Sequence, residues 1–132
     1  MAYLLDSDVV IDFLAGDPDT VTRINGLTAS GVFVSILSYM ETFQGVTDNG
    51  LSQEDQDKFN QFFASVPVLS LSPAIAIRCA HLRSALKRQG KSIRRRALDL
   101  LIAATALEHG LELVTHNEDD YKDIASLMRY QW

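Results

Sequence analysis

Short apolar runs and amphipathic stretches alternate along the chain, and this pattern predicts strands that alternate with helices. Apolar or β-branched runs bounded by Gly, Pro or acidic residues are typical of buried strands, whereas apolar residues three or four positions apart are typical of helices. Strands are predicted at residues 2–5, 32–36, 66–71, 111–115 and 128–130. Helices are predicted after Ser7 or Asp8, after the Gly16–Pro18 break, from Ser38, and over about 52–64, 73–90, 99–109 and 118–127.

This order of elements favours an α/β fold, and we expect an α/β/α sandwich with a mainly parallel central sheet of about five strands. The chain has 132 residues, which suits one domain, and no repeat or linker divides it. We therefore expect a single domain over 1–132. Hydrophobic residues make up 47% and charged residues 22%, proportions typical of a folded protein rather than a disordered one.

Four acidic residues stand at the ends or beginnings of the predicted elements. Asp6 follows the first strand, Glu41 lies near the start of a helix, Asp99 opens another helix, and Asp120 follows the last long strand. In open parallel sheets, sites form beyond the carboxyl ends of the strands, so these side chains can converge there. Because clustered carboxylates repel one another, a hard divalent cation is the usual partner of such a group. The pattern predicts metal-assisted chemistry on a phosphate.

Each of these acids also has an ordinary structural interpretation. Asp6 can cap the helix that follows it, although Ser7 offers another capping group. The spacing of Ser38 and Glu41 matches a capping box, in which Glu is favoured whatever the function. Asp99 can interact with the helix dipole, but its neighbours are apolar. The sequence therefore favours the functional interpretation for Asp6 and Asp99 and leaves both interpretations open for Glu41.

Charge is distributed unevenly along the chain. The net charge is −5, yet seven of the 12 Lys and Arg residues lie between Arg83 and Arg96, just before Asp99. Charges more than about 8 Å apart are largely screened at physiological salt, so a local basic patch can still attract a polyanion. The alternative is a solvated helix face. The position of the patch beside a predicted metal site favours nucleic-acid binding.

Several other classes of protein are disfavoured. No apolar run approaches the roughly 20 residues that a membrane helix needs, and no basic stretch precedes the first apolar segment, so we expect neither a membrane span nor a secretory signal. The only cysteine, Cys79, cannot form an internal disulfide, which suits a reducing cytoplasm. No Ser–His–Asp set, glycine-rich phosphate loop or zinc-type Cys/His spacing occurs.

Four segments of the chain resemble the motifs of PIN-domain ribonucleases. They are Leu4–Phe13 (LLDSDVVIDF), Ser35–Gly45 (SILSYMETFQG), Asp99–Ala106 (DLLIAATA) and Leu113–Tyr121 (LVTHNEDDY). Their order and spacing, and the length of the chain, are similar to those of the toxin branch of bacterial type II toxin–antitoxin modules, the virulence-associated protein C family. The resemblance extends over essentially the whole chain.

The resemblance implies an endoribonuclease that depends on Mg²⁺ or Mn²⁺ and cleaves a structured or loop RNA, such as tRNA or rRNA. Asp6, Glu41 and Asp99 would bind the metal, and Asp120 would complete the catalytic acids. Further partners implied are an antitoxin protein and a second copy of the chain in a homodimer. Residues expected to support the acids or to contact RNA are Ser7, Thr115, Asn117, Arg94, Arg95 and Arg96. The chain departs from the family pattern at Asp8, where Asn is common, and at Tyr121, where Phe is common.

Two other functions are compatible with parts of the sequence. The stretch from Asp6 to Val10 also fits the nucleophile motif of haloacid dehalogenase-like phosphatases, in which Asp6 would form an aspartyl-phosphate. That interpretation requires a later lysine and leaves Glu41 and Asp99 without a role. The second alternative is a non-catalytic module that binds an RNA or protein partner, with the edge formed by Phe59, Phe62 and Phe63 as the contact surface.

Overall fold

A central sheet of four parallel strands organises the structure, a computed structural model that describes residues 1–132. The strands are β1 (Tyr3–Leu5), β2 (Val32–Ser35), β3 (Val68–Leu69) and β4 (Glu112–Val114), in the spatial order β3-β2-β1-β4. Leu4 in β1 pairs with Phe33 on one side and with Leu113 on the other. Because all strands are parallel, the carboxyl ends of β1, β2 and β4 lie at one edge of the sheet.

Six helices cover the two faces of this sheet. They are α1 (Ser7–Leu14), α2 (Pro18–Leu27), α3 (Ile36–Asp48), α4 (Gln53–Phe63), α5 (Pro73–Arg88) and α6 (Ala97–His109), with short 3₁₀ turns at Thr28–Ser30 and Glu118–Asp120. None of these helices is both long enough and apolar enough to span a membrane.

The core has two parts, one on each face of the sheet, because successive side chains of a strand point to opposite faces. Leu4 belongs to the cluster formed with α5 and α6, and its neighbour Leu5 belongs to the cluster formed with α1, α2 and α4. Both side chains are fully buried. The predicted α/β/α sandwich is therefore confirmed, with four strands where about five were expected.

The predicted capping box at Ser38 is wrong. Helix α3 begins at Ile36, and its N-cap is Ser35, whose side chain accepts a hydrogen bond from the backbone N–H of Ser38. The strand therefore runs directly into the helix, and Glu41 lies in the second turn instead of at the third helical position. A role for Glu41 in capping this helix is thereby removed.

The segment after β4 also differs from the prediction. The expected helix over 118–127 is a 3₁₀ turn followed by further turns, in which Tyr121, Ile124 and Leu127 are buried. These residues are spaced by three, and backbone hydrogen bonds join Ile124 to Tyr121 and Leu127 to Ile124. A strict period of three suits 3₁₀-type turns, whereas a buried α-helical face alternates between three and four.

Two predicted strands are shorter than expected. The run at 66–71 pairs only over Val68–Leu69, and the run at 128–130 contributes a single parallel bridge between Leu113 and Arg129. Because residues 128–130 form only this bridge, the sheet has four strands and not five. Helix α6 begins at Ala97, two residues before the predicted position, so Asp99 lies in its first turn.

Candidate metal centre

The carboxylate of Asp6 lies at the carboxyl edge of the sheet, between β1 and the beginning of α1. Asp6 is the N-cap of α1, and its Oδ1 accepts a hydrogen bond of 2.9 Å from the backbone N–H of Ser7. Only 4% of its surface is exposed. Asp6 therefore has the capping role that its position suggested, but that contact involves only one of its two oxygens.

The other oxygen of Asp6 receives two hydrogen bonds from residues more than 100 positions along the chain. The hydroxyl of Thr115 donates to Oδ2 at 2.9 Å, and the hydroxyl of Tyr121 donates to the same atom at 3.0 Å. Burial raises the pKa of Asp6, while these hydrogen bonds act in the opposite direction. Three donors from three segments thus fix the orientation of this carboxylate.

Tyr121 joins Asp6 to Asp99. Its side chain is fully buried, and its hydroxyl lies 3.4 Å from Oδ1 of Asp99. Burial, the negative charge of Asp120 and that of Asp6 raise the pKa of Asp99 to about 6. Burial and the two neighbouring carboxylates also raise the pKa of the Tyr121 hydroxyl, so it keeps its proton and acts as a donor. The structure therefore brings Asp6 and Asp99 to either side of one hydroxyl group.

Ser7 links Glu41 to the same group. The Ser7 hydroxyl donates to Oε1 of Glu41 at 3.1 Å, while the Ser7 backbone N–H donates to Asp6. Burial, and next the negative charge of Asp6, raise the pKa of Glu41. Three acids that are far apart in sequence thus belong to one network, in which each carboxylate is disfavoured in its charged form.

Asp120 and Asn117 lie at the exposed rim of the network. Asp120 is exposed, but its negative charge contributes to the raised pKa of both Asp6 and Asp99, so it lies close to them. The backbone N–H of Asn117 donates to the hydroxyl of Thr115 at 3.0 Å. The exposed side chain of Asn117 makes no hydrogen bond within the chain.

The three arginines before α6 have different environments. Arg94 and Arg95 are exposed and form no ion pair. Arg96 instead forms a bidentate ion pair with Asp123, with distances of 2.8 and 2.7 Å. The prediction grouped the three residues as RNA contacts, whereas the structure commits the third guanidinium to the protein itself.

Three residues of this site were not predicted to belong to it: Tyr121, Asp123 and Asp8. Tyr121 was noted only as a departure from a family pattern, and its spacing of three from Ile124 is the one sequence signal that predicts its burial. The pair of Arg96 and Asp123 gave no signal, because the two residues are distant in the chain. Asp8 has a pKa raised to about 6 by burial, and next by the charge of Asp6.

The carboxylate oxygens of Asp6, Glu41 and Asp99 suit a hard divalent cation that keeps part of its water shell. No three Asp, Glu, His or Cys side chains are close enough together to enclose an ion by themselves. Mg²⁺ usually takes one or two carboxylates directly and retains several waters, so an open arrangement of carboxylate oxygens fits it. Burial is the main cause of the raised pKa values of Asp6, Asp99 and Glu41, and the charges of neighbouring carboxylates add to it. A cation bound here would favour the charged form of each acid.

Comparisons with known proteins concern the family and the fold of the chain. The PIN domain family model matches residues 3–127. The chain is 24% identical to the tRNA(fMet)-specific endonuclease VapC of Shigella flexneri and 27% identical to the ribonuclease VapC2 of Rickettsia felis, in each case over 100% of this chain and 98% of the relative. The crystal structure of VapBC2 from Rickettsia felis, bound to a DNA fragment from its promoter, superimposes with a TM-score of 0.87 at 25% identity, covering 100% of this chain and 99% of that one.

Replacing Asp99 by Asn should stabilise the metal-free protein above pH 6. Its folded-state pKa of about 6 exceeds the ordinary value of 3.8, so ionisation of Asp99 opposes folding once the pH rises through this interval. Because the side chain is only half-buried, we expect a gain of about 1 kcal/mol in the free energy of unfolding near pH 7.5. The gain should shrink below pH 6 and disappear below 3.8. Urea denaturation in EDTA at several pH values measures it.

The matched control is Asp57→Asn, an exposed carboxylate on α4, which should change stability little at any of these pH values. An Asp99→Asn protein that is no more stable than the wild type near pH 7.5 would contradict the raised pKa of Asp99 in the folded protein.

Proposed function

The chain belongs to the PIN domain family, and from this premise we propose that it is a divalent-metal-dependent endoribonuclease that acts as the toxin of a toxin–antitoxin pair. One observation carries the proposal: Asp6 and Asp99 flank a single buried hydroxyl, and Ser7 links Glu41 to the same network. The names of the full-length relatives, a ribonuclease and a tRNA-specific endonuclease, support the same activity.

Asp6 and Asp99 would hold Mg²⁺ or Mn²⁺, with Glu41 binding directly or through water. When bound, the ion supplies Lewis acidity toward a phosphodiester and makes a neighbouring water more acidic. Thr115 and Tyr121 keep the Asp6 carboxylate in a fixed orientation, and Ser7 does the same for Glu41. Such supporting hydrogen bonds are a regular part of metal sites.

Asp120 and Asn117 would orient the water at the open side of the site. Both side chains are exposed, so they face the solvent from which the attacking water and the RNA arrive. Attack by water on the phosphorus leaves a 5′-phosphate and a 3′-hydroxyl. The 2′-hydroxyl of the RNA is therefore not needed as a nucleophile.

The basic segment before α6, residues 83–96, would bind the RNA backbone. Six of its cations form no ion pair with the protein: Arg83, Lys87, Arg88, Lys91, Arg94 and Arg95. The segment leads directly into the first turn of α6, which carries Asp99. A phosphate chain bound there would therefore enter the site beside the acids. Because sequence-selective RNA binding usually targets loops with unstacked bases, a loop of tRNA or rRNA is the expected substrate class.

The antitoxin would occupy an apolar groove between α1, α2 and α4. This cavity has a volume of about 500 Å³ and is lined in part by Phe13, Leu14, Ile24 and Phe62. Helix α1 runs from Ser7 beside the acids to Leu14 in the groove, so a peptide lying in the groove can continue along α1 to the site. The VapBC2 complex among the structural neighbours supports a protein partner. An arginine on that partner would pair with the acids.

A second copy of the chain would pack against α3. Ile36, Met40 and Phe43 are 37–45% exposed and lie three or four residues apart on this helix, which gives it an apolar outer stripe. Such a partly exposed apolar stripe suits a homodimer interface.

The two alternative functions have less support. A haloacid dehalogenase-like phosphatase needs a lysine beside the nucleophile, but no lysine contacts Asp6, whose partners are Ser7, Thr115 and Tyr121. A non-catalytic module that binds through the Phe59–Phe63 edge is also disfavoured. Phe59 and Phe62 are buried, and Phe59 packs against Tyr39 and Phe43 of α3.

Incubation with total RNA tests the activity. With Mg²⁺ we expect discrete fragments that carry 5′-phosphates, and with EDTA no cleavage. Asp6→Asn should lower the cleavage rate at least about 100-fold, because it removes a charge that would face the ion, although its amide oxygen can still cap α1. Mapping of the cut ends gives the readout, and Asp57→Asn is the control that should cleave normally. Cleavage that persists in EDTA, or full activity of Asp6→Asn, would refute the proposal.

RNA affinity tests the basic segment separately. In EDTA, Arg94→Ala combined with Arg95→Ala should weaken binding of a tRNA and reduce the slope of log K against log salt by about 0.7 for each lost phosphate contact. Filter binding at several salt concentrations measures both quantities. Lys58→Ala removes an exposed cation on α4 and should change neither. If Lys58→Ala and the arginine variants weaken binding equally, the segment has no special role.

A further inference from the structure

Arg96 is the one cation of the basic segment that is bound within the protein. Its Nη1 donates to Oδ2 of Asp123 at 2.8 Å, and its Nη2 donates to Oδ1 of Asp123 at 2.7 Å and to the backbone carbonyl of Asp120 at 2.9 Å. The side chains of Arg96 and Asp123 are only 18% and 17% exposed. A bidentate, partly buried pair of this kind is stronger and more directional than an exposed ion pair.

These contacts join two segments that carry acids of the candidate metal centre. Arg96 is the residue immediately before α6, and its carbonyl accepts the hydrogen bond of Leu100 in the turn that carries Asp99. On the other side, the Asp120 carbonyl belongs to the turn Glu118–Asp120. One guanidinium thus connects the beginning of α6 to a turn more than 20 residues further along the chain.

Exposed turns depend on such contacts for a defined conformation. The side chain of Asp120 makes no hydrogen bond within the chain, so its position follows from that of its backbone. The hydrogen bond with Arg96 lowers the pKa of Asp123, which keeps that carboxylate charged and the pair intact. Lysine cannot replace this arginine, because one ammonium group cannot donate in the parallel fork that the carboxylate receives.

We propose that Arg96 is a positioning residue of the metal site, which acts through Asp123 and the Asp120 carbonyl to hold the Glu118–Asp120 turn in place, and that it does not bind RNA. This assignment rests on the proposed function for the identity of the site. It divides the three arginines before α6: Arg94 and Arg95 are free to contact a polyanion, whereas Arg96 holds the turn that carries Asp120.

Two other roles for Arg96 predict different results. If Arg96 bound a phosphate of the RNA, its replacement would lower the RNA affinity of the protein and leave its metal affinity unchanged. If Arg96 only neutralised the charges of Asp99 and Asp120, the protein would bind metal more tightly once the arginine was replaced. Replacement of Asp123 would not be expected to weaken metal binding in that case.

Calorimetric titration with Mn²⁺ in the absence of RNA distinguishes these roles. We expect Arg96→Lys and Asp123→Asn each to weaken Mn²⁺ binding about tenfold, which is typical when a residue supporting a metal ligand is changed. The double variant should be no worse than either single variant, because both remove the same contact. RNA affinity in EDTA should equal that of the wild type. Arg94→Lys is the matched control and should bind Mn²⁺ normally.

Hydrogen exchange of the metal-free protein provides an independent readout. In Arg96→Lys the backbone amides of Asp120, Tyr121 and Lys122, which form the hydrogen bonds of this turn, should exchange faster, while those of α5 should be unchanged. Melting curves identify any variant that fails to fold, and Asp123→Asn then serves in place of Arg96→Lys because it keeps the guanidinium.

Unchanged or tighter Mn²⁺ binding by both single variants, or unchanged exchange in the turn, would overturn the assignment. So would a loss of RNA affinity without a loss of Mn²⁺ affinity. If the wild type binds Mn²⁺ and cleaves RNA but the variants match it, only this assignment fails. If the wild type binds no Mn²⁺, the proposed function fails with it.

Discussion

The structure depends on the hydrogen bonds that the nearly buried carboxylate of Asp6 accepts. Asp6 lies at the end of β1, where an unpaired carboxylate would cost several kcal/mol. Its donors come from the backbone of Ser7, the hydroxyl of Thr115 after β4 and the hydroxyl of Tyr121 after the following turn. Because the two hydroxyl donors lie more than 100 residues from Asp6 in the chain, the fold and the site are fixed by the same contacts.

The same arrangement creates an excess of negative charge. Tyr121 brings Asp99 next to Asp6, Ser7 brings Glu41, and burial raises the pKa of each acid. In a protein without a ligand this arrangement is unfavourable, and it is a common feature of functional sites. A divalent cation bound between Asp6 and Asp99 would reduce this repulsion, and this is how the energetics of the fold would be linked to the proposed ribonuclease activity. Arg96 and Asp123 add a second, local constraint on the turn that carries Asp120.

The sequence predicted most of what depends on local patterns and on the topology of parallel sheets. The order of strands and helices follows from these patterns, and the topology allowed Asp6, Glu41 and Asp99 to approach one edge, as the structure shows them to do. The capping box at Ser38 was wrong, because Ser35, three residues earlier, also has the chemistry of a cap and lies at the end of the strand. The hydrogen bonds of Tyr121 and the Arg96–Asp123 pair could not be predicted, since these partners are set by tertiary contacts between distant segments.

Diffraction from crystals grown with Mn²⁺, recorded to detect anomalous scattering, would show whether Asp6 and Asp99 share one ion. We expect an anomalous peak in contact with oxygens of both Asp6 and Asp99, with Glu41 bound directly or through a water. We also expect Tyr121 still to donate to Asp6. A peak that contacts only one of these acids, a peak elsewhere on the surface, or no peak at saturating Mn²⁺ would contradict the idea that these carboxylates share an ion.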